Sequence, residues 1–224
     1  MSTSEAVQST LSQEAIDKLG VIPVFTIGKT VSELYTSEQD GVTVIPLYLS
    51  KKSADEALSA YSKAIPDFNA SVIYFTLDKM YKIIETFQEE YRKQSKTLVF
   101  PIVVRQENTQ KAYDILKSEG FSDDQIHTNL SVPVFYSEPM ISIQSSDGSG
   151  TKQVFFLDIA SLQEAFDRLP ESVEKPSVKV ANLSEVLEKI SDSPNTSDFE
   201  FYPTPEFMTL RKIYEAQLEL DGVA

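Results

Sequence analysis

Few residues in this chain have the types and spacing that covalent or acid–base chemistry needs. His127 is the only histidine, in Gln125-Ile-His-Thr-Asn129 between an acidic turn and a strand. A histidine triad would have to use it, yet no Gly-x-Ser-x-Gly elbow accompanies it, so it reads as a solvated loop residue. The chain has no cysteine, which excludes disulfides, thiol catalysis and zinc–cysteine sites. No His-x-x-x-His or calcium-loop spacing occurs, so neither a metal nor a cofactor is expected. Asp123-Asp124 and Glu89-Glu90 are short charge runs of the kind found on a solvated face. Gly148-Ser-Gly150 lacks a third glycine and a following helix, and reads as a turn rather than a phosphate cradle. With 34 acidic residues, any two carboxylates could be paired on paper, and the pairing would have no specificity. No catalytic residue is assigned, and the chain is expected not to be an enzyme.

What remains is apolar chemistry. Phe25, Tyr48, Tyr74, Phe100, Phe135, Phe155 and Phe156 make the strand-like segments aromatic-rich, and core packing claims most of them. Prolines within strands and amphipathic helices leave room for grooves that an extended peptide could occupy. A groove burying roughly a few hundred Å² would contribute several kcal/mol at about 25 cal/mol/Å², before ordering costs. The resulting weak affinity suits holding a chain and handing it on.

The elements that would position such grooves occur twice. Ile22-Pro23-Val24-Phe25 returns as Val132-Pro133-Val134-Phe135. Leu47-Tyr48-Leu49-Ser50 with Glu56-Ala57-Leu58 returns as Phe155-Phe156-Leu157-Asp158 with Glu164-Ala165-Phe166. Ser71–Leu77, followed by Met80 and Ile84, returns as Ser177–Leu183, followed by Val186 and Ile190. A tail echo, Pro101 with Pro203, is too thin to count. Two long copies predict one globular body with two related halves rather than a solenoid.

Each half reads strand–strand–helix–strand–helix, then an extended segment and a helix. Val21–Ile27, Val42–Leu49, Ser71–Phe75 and Leu98–Val104 are the first half's strands. Ser53-x-x-Glu56 and Ser161-x-x-Glu164 both fit a capping box opening a helix. Residues 145–150 read as a hairpin loop, and 207–220 as a final helix. The expected fold is α+β and internally duplicated, with its halves about a pseudo-two-fold axis and its β-sheet partly covered by amphipathic helices. Residues 1–20 form a polar segment with a short helix, 21–130 the first half and 131–220 the second. Client contacts are expected at apolar positions recurring in both halves: Phe25, Tyr48, Met80 and Tyr81, with Phe135, Phe156, Val186 and Leu187.

The formal net charge of -14 argues against nucleic acid, whose phosphates need Lys and Arg, and against an anionic bilayer. No apolar run approaches the roughly 20 residues that span a membrane, so no direct membrane insertion is expected. The N-terminus has neither a basic nor an apolar leader region. The protein is therefore either cytoplasmic or written without its targeting peptide.

The collinear set Ile22–Ile27, Ser71–Ile83, Ser131–Phe135, Gln153–Leu157 and Phe201–Pro205 resembles the Tic22-like family across roughly residues 11–210. That family comprises a soluble component of the chloroplast inner-envelope translocon and its cyanobacterial relatives. Modest lysine content and the lack of asparagine runs favour a cyanobacterial-type member. The resemblance implies a protein-transport factor of the periplasm, the thylakoid lumen or the plastid intermembrane space, its targeting peptide removed. It implies chaperone-like binding of unfolded precursors or outer-membrane proteins beside an Omp-type translocation pore. The alternative is an adaptor that docks on the pore's folded periplasmic domains and holds no client. The family has no catalytic residues to carry over.

Overall fold

The computed structural model of the chain describes residues 11–144 and 150–220, with side chains in the last helix described through residue 212. The polar N-terminal ten residues and positions 145–149 of the expected hairpin loop lie outside the described residues. The first half runs α1 (Gln13–Asp17), a 3-10 turn (Lys18–Val21), β1 (Pro23–Thr30), β2 (Glu33–Leu34), β3 (Ser37–Gln39), β4 (Val42–Val44), β5 (Leu47–Tyr48) and α2 (Lys51–Ala64). It continues with β6 (Ser71–Thr76), α3 (Leu77–Lys93), β7 (Thr97–Val99), β8 (Ile102–Val103) and α4 (Gln106–Ser118). After α5 (Asp123–Asn129) come β9 (Pro133–Glu138), β10 (Ser142–Gln144), β11 (Thr151–Phe155), α6 (Ile159–Asp167), β12 (Ser177–Asn182) and α7 (Leu183–Ser191). A 3-10 turn (Thr196–Asp198), β13 (Phe199–Phe201) and α8 (Pro205–Leu220) close the chain. The fold is α+β, with the strands forming a curled half-barrel.

The strand pairings of the two halves correspond residue by residue. β1 runs antiparallel to β6 from Pro23 opposite Thr76 to Gly28 opposite Ser71. β9 runs antiparallel to β12 from Pro133 opposite Asn182 to Glu138 opposite Ser177. Phe25 faces Tyr48 across β1 and β5, and Phe135 faces Phe156 through a single bridge. β5 then pairs in parallel with β8, and β11 with β13. Both long strands also end alike: the Leu77 N–H donates to Ile22 O and the Leu183 N–H to Val132 O, each at 2.9 Å.

Apolar side chains alternate across these strands and fill three zones. The central one joins both halves: Val24, Leu47, Phe75 and Met80 pack with Val134, Phe155, Leu187 and Phe201. Behind the first sheet lie Phe25, Ile27, Tyr48 and Ala54, with Leu210 of α8 against them. Behind the second lie Phe135, Val154, Phe156 and Leu162, with Ala112 of α4 among them. The last helix of each half thus covers the other half's sheet.

Proline and turn chemistry account for the departures from expectation. The strand expected over 42–49 breaks at Pro46, which has no N–H to give a ladder; its carbonyl accepts from the buried Thr26 hydroxyl at 3.0 Å. The strand expected over 98–104 breaks at Pro101 in the same way. Neither expected capping box forms. α2 starts at Lys51 with Ser50 as its cap residue, and α6 starts at Ile159, where the Asp158 carboxylate accepts from the Ala160 N–H at 3.3 Å. Ser53 and Ser161 are therefore inside their helices. Capping boxes are found instead at Ser122 with Gln125 and at Asn182 with Glu185. Gly28 cannot be replaced freely, because a Cβ there would sit 2.7 Å from the Glu33 carbonyl where β2 folds back on β1.

Candidate functional site

The eight expected client contacts are almost all interior. Phe25, Tyr48, Met80, Phe135, Phe156, Val186 and Leu187 are each less than 9% exposed, and Tyr81 is half-buried against the central core. This corrects the expectation that they line a surface. Positions that recur at register-matched places face the layers between sheets and helices, and burial there is worth about 1.5–3 kcal/mol per large apolar side chain. They build the body of the protein; in this conformation none of the seven offers a surface.

His127 lies on α5 rather than in a loop. Its Nδ1 lies 2.8 Å from the Asp123 carbonyl, and its ring is 5.8 Å from that of Tyr113. The Tyr113 hydroxyl donates to the Asp123 carboxylate at 2.6 Å, and Lys117 pairs with the same carboxylate. That carboxylate is held below the usual range, chiefly by the Lys117 hydrogen bond and then by Tyr113. The cluster is exposed and ties α4 to α5. Among the described residues no group of three or more His, Asp or Glu side chains is placed to hold a metal ion. Nor is any described helix long and apolar enough to cross a membrane.

Two of the concavities lie away from the eight expected contacts. One is an open groove of 500 Å³ between β6, the start of α3 and α8, lined by Tyr74, Phe75, Phe207 and Leu210 with Asp78, Lys79 and Arg211. Tyr74 is 39% exposed there, its ring 5.8 Å from that of buried Phe25. Met208, on the same turn of α8, is 42% exposed. Burial raises the Tyr74 phenol above its ordinary pKa, with the Asp78 charge adding to the shift. The Thr76 hydroxyl and one Asp78 carboxylate oxygen are buried without a hydrogen-bond partner.

The other is a polar cleft of 680 Å³ where α2, α4 and α8 begin, lined by Ser50, Lys52, Glu56, Arg105, Gln110 and Glu206. Arg105 is its hub: its guanidinium pairs with Glu206 at 3.0 Å and with Asp158 and Glu107 at 3.6 Å each. Beneath it, the buried Asn108 amide donates to Leu157 O at 3.1 Å and accepts from the Ile159 N–H at 3.2 Å. Its lining sets Lys52 and Arg105 against Glu56, Glu107 and Glu206, and the Arg105 ion pairs to Asp158 and Glu206 link the two halves. A polar residue opposite an edge strand is a weak sequence signal, and α8 reaches β6 only through the tertiary fold.

These features define a class: a helix-faced α+β protein whose halves share one core and whose surface carries a polar cleft and a groove walled by Tyr74, Phe207 and Leu210. The family model described as the Tic22-like family matches residues 1–208, and the chain belongs to that family. Among solved structures, Tic22 from Plasmodium falciparum is similar with a TM-score of 0.71 and 22% identity, over 90% of this chain and 98% of that one. Anabaena Tic22, a protein of protein transport, is similar with a TM-score of 0.73 and 16% identity, over 91% of this chain and 97% of that one. At such identities the likeness shows the fold. No curated protein matches the chain.

Proposed function

We propose that this Tic22-like protein is a non-catalytic protein-transport factor that holds unfolded precursor or outer-membrane polypeptide in the groove between β6 and α8. One observation carries the reading: a 500 Å³ groove whose walls present Tyr74, Phe207 and Leu210. Family membership and the transport role of the Anabaena relative support it. The same reading puts the protein in a compartment between two membranes, beside an Omp-type pore. The net charge of -14 has the sign to attract basic targeting segments, whose binding then weakens as salt rises. The matched registers of β1 with β6 and β9 with β12 support descent of both halves from one duplicated unit.

The test is suppression of aggregation, followed by light scattering, of a denatured outer-membrane barrel protein and an unrelated denatured enzyme at equimolar amounts. Protection of both is expected, weakened several-fold by Tyr74→Glu or Phe207→Glu as a charge enters the groove. Protection of neither would sink the holding role and leave an adaptor that docks on one folded partner.

A further inference from the structure

We infer that α8 is a hinged wall of the groove. It leaves its seat by turning about Pro203–Thr204 and breaking the Glu206–Arg105 pair, and the opened groove is the form that takes up polypeptide. The inference rests on the proposed holding role and adds how access to that site is controlled.

The chain is fixed up to the turn. The Tyr202 N–H donates to Phe155 O at 2.8 Å, and its ring stacks on buried Phe156 with centroids 5.1 Å apart. Pro203 and Pro205 have no N–H, so neither can tie the turn to a neighbour as a donor. Thr204 between them borders, with Arg105 and Asp158, a cavity of 20 Å³, room for about one water molecule. Beyond the turn, none of the residues 205–212 is buried. Phe207 and Leu210 are half-buried, Leu210 against the zone of Phe25 and Tyr48, while Met208 is exposed. Arg211, also exposed, adds an interaction that water can replace.

The ion pair can be broken at little cost. Glu206 Oε1 lies 3.0 Å from the Arg105 guanidinium, whereas Oε2 is buried without a hydrogen-bond partner. A released carboxylate has both oxygens hydrated, which offsets the loss of the pair. Release does not strand the guanidinium either, because it keeps Asp158 and Glu107 at 3.6 Å each. Asp158 stays in place: it is buried, and its carboxylate accepts from the Ala160 N–H. α4 has no such freedom. Its buried Asn108 bonds Leu157 O and the Ile159 N–H, so its departure would leave two buried groups unpaired, and Ala112 is fully buried. One helix is locked and the other is latched.

The chain has no cysteine, so spin labels attach only where cysteines are introduced. Ser62→Cys with Lys212→Cys spans α2 and α8, and Gln163→Cys with Lys111→Cys spans α6 and α4 as the control; all four positions are exposed. Label-to-label distances are read by pulsed electron resonance in the full chain. The control pair should give one distance and the α2–α8 pair two. Glu206→Gln should raise the ratio of long to short about twofold to fivefold, the worth of a partly exposed ion pair. Raising salt from about 0.05 to about 1 M should do the same in the parent and little in Glu206→Gln. Excess denatured barrel protein should raise the long distance in the parent, since a ligand shifts a protein toward the state it binds. A single α2–α8 distance that neither Glu206→Gln nor salt alters overturns the latch; protection in the light-scattering test then leaves the holding role on a rigid groove. A long distance that denatured barrel protein does not increase overturns the link between opening and uptake. An equal response of the control pair overturns the assignment to α8. Opening without protection of either denatured protein removes the holding role and the uptake with it, and leaves the latch.

Discussion

β6 and β12 occupy the same place in their sheets, pair with their partners in the same register and lead into helices through the same backbone hydrogen bond. They differ in what they present outward. Beside β12, Lys179 reaches Glu119 and α4 closes over the sheet. β6 is covered by α2, and beside it lie Tyr74, an open groove and the start of α8 after Pro203. The way each covering helix is held explains the contrast. α4 is fixed by the two hydrogen bonds of buried Asn108, by fully buried Ala112 and by its clasp with α5. α8 is fixed near its start, by the Thr204 hydroxyl accepting from the Phe207 N–H at 3.2 Å and by Glu206 on Arg105, and then by half-buried Leu210. Strand pairs of matched register are thus flanked differently: α4 lies on one, and α2 with an open groove lies beside the other.

The sharpest way to break the comparison is to hollow each half at its matched phenylalanine. Phe135→Ala should cost about 3–5 kcal/mol, because the side chain is fully buried behind the second sheet and leaves a cavity. Phe25→Ala removes the same ring from a zone bordered by partly exposed Tyr74 and Leu210, which can move inward. It should cost roughly 1 kcal/mol less than Phe135→Ala, since the penalty depends on how far a site can collapse. Urea midpoints of the two variants decide it; equal costs would mean that the flank with the groove is packed as tightly as the sealed one.

A smaller change acts on the seam. Asn108→Ala leaves the Leu157 carbonyl and the Ile159 N–H without partners in a buried place, and is expected to cost about 2–3 kcal/mol. Its effect should fall on the second half, where hydrogen exchange at the start of α6 would quicken. Exchange rising equally in α2 would show that the seam belongs to both halves alike.

Much of this arrangement was legible in the chain, for a physical reason. Residues that fix a strand's register and bury its face leave a strict pattern, and Pro23 with Pro133 or Ser71 with Ser177 mark the true pairing ends. The breaks at Pro46 and Pro101 follow from rules that the sequence displays, and so does the Asp40-Gly41 turn between β3 and β4, where both residues have positive φ. The helix starts were misread because Ser53 and Ser161 satisfy a pattern of common residue types, while Ser50 and Asp158 lie one turn earlier. The site was hidden for a different reason. Apolar residues that recur are apolar because they are buried, so recurrence selected core positions such as Met80 and Leu187. The groove is made where the halves diverge, by Tyr74 against Val180 and by Phe207, which pattern matching passes over. The tail echo placed Pro101 against Pro203. The parallel pairings of β8 and β13 show that the two tails take equivalent places, displaced by a few residues from that match.

The phenols separate the halves once more. Tyr48, Tyr74 and Tyr81 stand where the second half has Phe156, Val180 and Leu187. Burial pushes the Tyr48 phenol from 10.0 up to about 12, with the neighbouring Tyr61 adding to it, and burial also raises Tyr74 and Tyr81. A phenol whose folded pKa exceeds its unfolded one favours the native state below the unfolded value. That contribution is lost as pH rises through the folded value. Stability should accordingly fall between pH 10 and about 12. Tyr48→Phe should flatten part of that fall, read from urea midpoints across the window. An unchanged slope would assign alkaline sensitivity to the other raised phenols, Tyr74, Tyr81 and Tyr136.

The smallest expected effect is a gain. Lys179→Ile gives β12 the residue that β6 carries at the same register position and removes the pairs to Glu119 and Glu138. If a charge on the strand were the whole guard, the second flank would then bind an alternating peptide as the first does. α4 still lies on β12 and β9 and is still held by Asn108 and Ala112, so that face of the strand remains covered. Peptide binding measured by fluorescence anisotropy should rise by no more than about twofold, since covering and charge guard an edge independently. Removing Asn108 in the same chain should raise it further, because the helix then loses its anchor. A full second site from Lys179→Ile alone would place the difference between the flanks in one side chain rather than in the seating of the helix above it.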